Sequence, residues 1–530
     1  MTVLLATSRR LPASADYDSW CAVTDAVPPL DPARRVARLE SLLAAAFDGI
    51  GDEWRMLAAR LTETPSASLA HAPAMAPNAS DLGLMLAWRR LAADFAAGAE
   101  RVAVVCDDPW LFRALAADGA KAAAPAPGLR FRACRLAARG ILARTAVALR
   151  MARAALALRG QRTRFPKGAR VLLVYGHPAS DADGQDGYFG PLLRELPGLV
   201  RLLHVDCGLA RARALAADGR SFSLHAWGCL GALLCLPFAR WRPAPADTEG
   251  ALGWLVRRAA AVEGGTGQAA AIRWQQICQR AWLRAARPVV VAWPWENHAW
   301  ERDFVRAARK VGVATVGYQH ATVGGREWNH APGPDGVEAL PDVILCSGEA
   351  GRKRLAGFGV PEDRLAVGGA WRAPDIRPLE RDPSGAVFVA LPSDLSIAGQ
   401  MMKAVETLAA GGERFVVRDH PMTPFPFSER SGVRRAAGPL AAEKGIRAVL
   451  YCATTVGLEA ALGGMPTVRF VPAGRVDNDV LPDGLDVPAA TAATLGAALA
   501  DAAPPARPPV AAVFAPPDTA LWRRVLDREA

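Results

Sequence analysis

Phe415-Val416-Val417-Arg418-Asp419-His420-Pro421 is an apolar run that stops abruptly at charged groups. Ala448-Val449-Leu450-Tyr451-Cys452-Ala453-Thr454-Thr455-Val456-Gly457-Leu458-Glu459-Ala460 repeats the pattern. Runs that are apolar at consecutive positions read as strands of a parallel sheet buried on both faces. In open α/β sheets, ligands bind outside the carboxyl ends of the strands, so the polar residues that end each run form a candidate site. Thr454 and Thr455 are good N-cap residues, and residues 456–462 can open a helix. A helix start there offers free N–H groups and partial positive charge to a phosphate. Glu459 falls one turn in, on the face of Thr455, where its carboxylate can accept two ribose hydroxyls. Arg418 and His420 add charge at the neighbouring strand end, and Pro421, lacking an N–H, fixes where the imidazole points. Each also has a structural use: Thr454 as a cap, Glu459 on the helix dipole, His420-Pro421 as a surface turn. Gly457, which inside a helix costs about 1 kcal/mol against Ala, is expected where a base or ribose packs on the backbone.

Outward from these runs, strand and helix signals alternate along the chain. Strands are expected at Val3–Ala6, Arg101–Cys106, Arg170–Tyr175, Val200–Val205, Pro288–Trp293 and Ala314–Gly317. A second set follows: Val343–Cys346, Leu365–Gly368, Ala386–Leu391, the two motif strands, and Thr467–Val471. Helical periodicity marks residues 31–62 and 130–159. The order is that of doubly wound α/β domains. The expected division is a first domain over 1–330 carrying a basic helical insert at about 121–170, a second over 341–505, and a tail with a helix over 506–530; the Gly- and Pro-rich stretch 324–341 reads as the linker.

Three further strand-end groups are candidates. The loop Asp181-Ala182-Asp183-Gly184-Gln185-Asp186-Gly187 lacks the spacing of a calcium loop. Asp186, expected just before a helix at Tyr188, reads as a sugar-directed nucleophile or base, or as an N-cap. Trp293-Pro294-Trp295-Glu296-Asn297-His298 combines aromatic faces with polar edges, which suits sugar recognition and equally an aromatic core corner. His320 closes the next strand, as a contact to a donor phosphate or as a satisfied core histidine.

Arg418-x-His420-Pro421 and Thr454-Thr455-x-Gly457-x-Glu459-Ala460 resemble the donor half of GT-B glycosyltransferases, in particular bacterial sialyl-, polysialyl- and Kdo-transferases that use CMP-sugars. The resemblance spans roughly residues 340–475. Trp295–Glu301 and Gly317–His320 resemble bacterial surface-carbohydrate biosynthesis proteins of the same broad group. It implies two Rossmann-like domains facing a cleft, and transfer of Kdo or a related ulosonic acid from a CMP donor to a glycan or glycolipid acceptor. It also implies a last helix that returns to the first domain. On this reading Asp186, Glu296 and His320 are catalytic; Arg418, His420, Pro421, Thr454, Thr455 and Glu459 bind the nucleotide. No metal is called for, since no Asp-x-Asp stands in a donor context, and no cofactor beyond the nucleotide-sugar. The alternatives are a sugar-nucleotide epimerase or CDP-polyol transferase, or a non-catalytic glycan-assembly subunit.

Composition narrows the rest. The chain is 51% hydrophobic and 22% charged, as globular proteins are, and its length of 530 residues suits two or three domains. From Lys121 to Arg170 there are 13 Lys or Arg and no Asp or Glu, a local excess that accounts for the net charge of +11. General nucleic-acid binding is therefore a poor reading. Arg135, Arg139, Arg150 and Arg153 interleave with Leu136, Ile141, Leu142, Val147, Leu149, Met151 and Leu156, the pattern of a helix that lies on an anionic membrane or packs on a sheet. Nine cysteines without a Cys-x-x-Cys fit buried, reduced thiols. Met1–Arg10 is too short for a signal peptide and no run reaches a membrane span. The expected location is the cytoplasm, peripherally on the inner face of the membrane.

Overall fold

The computed structural model describes residues 3–23, 28–77, 79–334, 336–372, 376–421, 423–476 and 479–528. Its described strands form three sheets, all parallel. The first has the order β2-β3-β1-β4, from β1 (Val3–Ala6), β2 (Ser19–Ala22), β3 (Val102–Val105) and β4 (Lys121–Ala122). The second has seven strands: β5 (Arg170–Val174), β6 (Leu199–Leu203), β7 (Ser221–Ser223), β8 (Val290–Pro294), β9 (Ala314–Gln319), β10 (Val343–Cys346) and β11 (Leu365–Val367), in the order β11-β10-β9-β8-β5-β6-β7. The third has six: β12 (Ala386–Ala390), β13 (Phe415–Arg418), β14 (Val433–Arg435), β15 (Ile446–Tyr451), β16 (Thr467–Phe470) and β17 (Ala489–Ala490), in the order β14-β13-β12-β15-β16-β17. The protein is thus a mixed α/β molecule of doubly wound parallel sheets.

Both larger sheets are covered on both faces, which is why their strands read as unbroken apolar runs. On one face of the seven-stranded sheet lie Trp274, Trp282 and Phe304, from the helices Gln268–Ala286 and Ala299–Arg309. On the other lie Leu192, Leu193, Trp522 and Leu526. The helix Leu395–Ala410 covers the six-stranded sheet with Met401 and Val405, and Leu458 and Leu462 cover its opposite face.

The structure moves several expected elements. β10 pairs with β9 and β11 with β10, so these strands complete the seven-stranded sheet and do not start the second one. Gly/Pro content at 324–341 marks a loop within that sheet, and the chain crosses to the six-stranded sheet between β11 and β12. Residues 31–62 form two helices, Leu39–Gly49 and Gly51–Leu61, while 130–159 is one helix of 30 residues, Leu129–Leu158. Cys134, Cys229 and Cys235 are exposed rather than buried. The helix Thr519–Asp527 packs on the seven-stranded sheet: the Trp522 indole N–H donates to Gly368 O (2.9 Å), and Asp527 pairs with Arg170 at the start of β5. No helix among the described residues is long and apolar enough to cross a membrane.

Candidate active site

Strand order locates the site. A doubly wound sheet opens a crevice where consecutive strands depart in opposite directions. In the seven-stranded sheet that point lies between β5 and β8, whose carboxyl ends lead to His177 and Glu296. In the six-stranded sheet it lies between β12 and β15, which lead to Pro392-Ser393 and Cys452-Ala453.

At the first point the loop after β8 folds inward. Trp293 and Trp295 are buried; Trp293 Nε1 donates to Glu301 Oε1 (3.0 Å) and the Trp295 ring meets His330 at 5.4 Å. The aromatic corner is therefore core, and Glu296 alone of this motif reaches outward, with 43% of its side chain open. Asn297, buried at φ 56°, adopts a left-handed conformation that Asn tolerates. Its amide donates to Asn329 O and Ala331 O (2.8 and 3.0 Å), which ties down the turn. His298 Nε2 sits 2.9 Å from Glu296 Oε2. Glu301 accepts from the backbone N–H groups of Glu296 and His298, capping the helix Ala299–Arg309.

This packing sets the charges. Burial works against an ionised Glu296, but the bond and charge of His298, with His320 and His330, hold it well below the usual carboxylate range. Burial likewise opposes a charged His298, and Glu296 outweighs it, raising the imidazole above its ordinary value. Burial lifts Glu301 to about 7 and lowers His320, His330 and His177 each to about 4. The site holds an ionised carboxylate bonded to a proton-retaining imidazole, His298, beside the neutral imidazoles of His320, His330 and His177.

The second strand-end group faces the first. Arg372, in the segment crossing between the sheets, stands 5.7 Å over the Tyr188 ring. The same ring meets His177 at 5.3 Å and His320 at 5.0 Å. Arg372 also acts electrostatically on His420 and Glu459, and His420 on His177. Burial raises Glu459 to about 7 against the pull of Arg372 and Arg418. Neither guanidinium makes an ion pair among the described residues. The structure thus brings Glu296 and His320 together across the cleft with Arg418, His420 and Glu459. Arg372, His177 and Tyr188 join them, unmarked in the sequence reading; His177-Pro178 repeats the His-Pro dipeptide at a strand end and was the signal available.

Several expectations need correction. Asp186 does not face the cleft. Its carboxylate is buried and accepts from Tyr188 N (2.9 Å), Phe189 N (3.2 Å) and the Ser180 hydroxyl (3.3 Å), beside the buried Arg201 guanidinium at 3.7 Å. No helix starts at Tyr188; Asp186 and Gly190 close a tight turn instead. Gly457 answers to packing rather than to a ligand, because a Cβ there would lie 2.2 Å from the Tyr451 ring. β12 lies between the two motif strands, so Arg418 and Thr454 are two strand spacings apart, about 10 Å. Thr454 does cap the helix Thr455–Leu462, accepting from Val456 N (3.2 Å); Thr455 is half-buried and Pro421 exposed. Ala453, just before the cap, holds φ 48° without glycine's freedom. It lines a cavity of about 440 Å³ with Pro392, Ser393, Glu263 and Glu327.

No protein family matches the chain, and no curated protein matches it in sequence. Among solved structures it is similar to a UDP-GlcNAc 2-epimerase from Methanocaldococcus jannaschii, in complex with UDP-GlcNAc and UDP, at 11% identity and TM-score 0.38, over 68% of this chain and 99% of that one. A kitacinnamycin glycotransferase gives 13% identity and TM-score 0.35, over 68% and 95%. HepE from Anabaena, in complex with UDP, gives 12% and 0.32, over 62% and 90%. Likenesses this distant add nothing to the assignment of an activity.

Proposed function

We propose that the protein is a GT-B glycosyltransferase that moves a sugar, Kdo or a related ulosonic acid, from a CMP donor to a surface-glycan acceptor. The observation that carries this reading is the facing pair of strand-end groups. An ionised carboxylate, bonded to His298 and flanked by the neutral imidazoles of His320 and His330, stands opposite two guanidiniums and a carboxylate at a helix start. In this reading Arg372 and Arg418 hold the donor phosphate, with His420 beside it, and Glu459 accepts the ribose hydroxyls. Glu296 stays ionised, which suits attack on, or charge support of, the anomeric carbon. The neutral imidazole of His320 takes the acceptor hydroxyl's proton. Fixed cations stabilise the leaving phosphate without a metal. The CMP assignment rests on the resemblance of the two motifs.

Contact with an anionic membrane belongs to the same proposal. Leu136, Val147 and Met151 of the helix Leu129–Leu158 turn inward, while Leu142, Leu149 and Leu156, seven residues apart, form an exposed outer stripe. Leu234 and Phe238 of the adjacent segment Leu230–Phe238 are also exposed, and Arg144 ties the two together by donating to Pro237 O (2.8 Å). Exposed leucines among arginines with no acid nearby suit anionic headgroups.

A thermal-shift series with CMP, UDP and GDP tests the donor. At a hundredfold excess over Kd, binding adds about 2.7 kcal/mol of apparent stability. CMP should raise the melting temperature most; a shift with UDP or GDP and none with CMP would remove the CMP assignment.

A further inference from the structure

A cavity of about 730 Å³ lies at the carboxyl ends of β1 and β3, in the four-stranded sheet. Its mouth is built rather than loose. Thr7 and Arg10 exchange two backbone hydrogen bonds, 3.2 and 3.0 Å, in a turn that sets Arg9 and Arg10 in the wall, and Arg132 joins them from the basic helix. Arg258, also in the wall, is already occupied. It bonds both oxygens of Asp81 and Oδ2 of Asp108, all at 2.7 Å. The other oxygen of Asp108 caps the helix Pro109–Ala117. Arg9, Arg10 and Arg132 make no ion pair among the described residues. Asp107, the remaining carboxylate of the wall, accepts from Ser8 N (2.9 Å). Trp88 lies behind the wall, 2% exposed, and its buried indole N–H has no acceptor among the described residues. A buried donor without a partner is uncommon in folded proteins. The cavity shares Asp81, Leu84 and Arg475 as wall residues with the 440 Å³ cavity at the switch point of the six-stranded sheet.

We infer that this cavity is an acceptor subsite for an acidic sugar chain. Guanidiniums in excess over carboxylates select oxyanions, and Arg matches a carboxylate bidentately. The exposed ring of Phe131 suits sugar C–H groups. The shared wall gives a bound chain a path from this cavity toward the donor end of the cleft. The inference rests on the glycosyltransferase reading and adds the charge class of the acceptor.

Titration calorimetry with tetragalacturonate, maltotetraose and pyrophosphate tests it. Wild-type protein should bind tetragalacturonate, more weakly as salt rises, and not the neutral maltotetraose. The exposed triple variant Arg9→Gln, Arg10→Gln, Arg132→Gln should bind it at least about tenfold more weakly. Phe131→Ala, which removes the exposed ring, should weaken it a few-fold. The melting shift with CMP should be unchanged in both variants. Equal binding of maltotetraose, full tetragalacturonate affinity in the triple variant, or binding of pyrophosphate without tetragalacturonate would overturn the subsite. Loss of the CMP shift in wild type with tetragalacturonate binding intact would strike the donor reading and support this one.

Discussion

At its switch point the seven-stranded sheet carries side chains that answer one another: Glu296 meets His298, Glu301 caps the backbone beneath them, and Asn297 staples the turn. At the ends of the six-stranded sheet, Arg418 and the nearby Arg372 make no ion pair among the described residues, and Ala453 holds a left-handed conformation without a side chain to brace it. Two crevices of one topology have been fitted out in opposite ways. One has its carboxylate paired and its turn tied down, as a group that must keep its position and charge requires. The other has positive charge to offer, as a group that awaits an anion requires.

The comparison breaks most visibly at Glu296. Glu296→Gln keeps the shape and removes the charge, so transfer should fall on the order of 10²–10⁴-fold, while CMP binding stays near wild type. Initial rates and calorimetry on the same preparation read both. A variant that binds CMP poorly and turns over normally would exchange the roles of the two crevices.

Next come the guanidiniums. A charge-assisted bond is worth about 1.5–3 kcal/mol, so Arg418→Gln or Arg372→Gln should weaken CMP by about ten- to a hundredfold and lower kcat less than donor affinity. Equal donor affinity in both variants would leave the six-stranded end without a function.

Asp186 sharpens the contrast from outside both crevices. Asp186→Ala leaves the buried N–H groups of Tyr188 and Phe189 without an acceptor. The expected loss is about 1–3 kcal/mol of stability, seen in denaturant melts, with activity per folded molecule within about twofold of wild type. A stable but inactive Asp186→Ala would return this residue to the catalytic side.

Glu263, in the wall of the cavity beside Ala453, bears on neither crevice's chemistry and shows itself only through pH. Its carboxylate accepts from His71 N (2.8 Å) and Ala72 N (2.9 Å), and burial raises it to about 7 from an ordinary value of 4.5. The folded protein keeps a proton there that the unfolded chain releases first. Stability from this group is therefore present at acid pH and is lost as pH rises from 4.5 to about 7. Glu263→Gln does not titrate, so it should gain on wild type in paired melts between about pH 5 and pH 8. A constant difference across that range would contradict the raised value.

The strand ends of the six-stranded sheet could be read from the sequence because their signals are local. Apolar runs give buried strands, and a Thr before a helical run gives a cap. At the seven-stranded end Glu296 and His320 were legible as strand-end groups, but the residues around them were not, because their logic is tertiary. Asp186 looks the same in a list of residues whether its carboxylate meets solvent or the Tyr188 amide. Arg372 belongs to no motif and gains its place only because the crossing segment carries it over the Tyr188 ring. β10 and β11 have the same apolar signature whichever sheet they join, and only their pairing with β9 settles the matter. Gly457 shows the converse: its oddity was legible, but its cause, the Tyr451 ring, lies on the preceding strand.

The helix Thr519–Asp527 carries a consequence for how the molecule comes to be made. Trp522 seals a sheet face against Phe189 and Tyr318, and Asp527 reaches Arg170 across 357 positions of chain. Contacts this distant in sequence form late, and domains emerging from the ribosome fold in order of synthesis. The seven-stranded sheet therefore emerges with one face unfinished and waits, its aromatic groups open, until the whole six-stranded sheet has been translated behind it. That interval is when a chaperone has the most to hold, and a stalled or shortened chain would aggregate through that face.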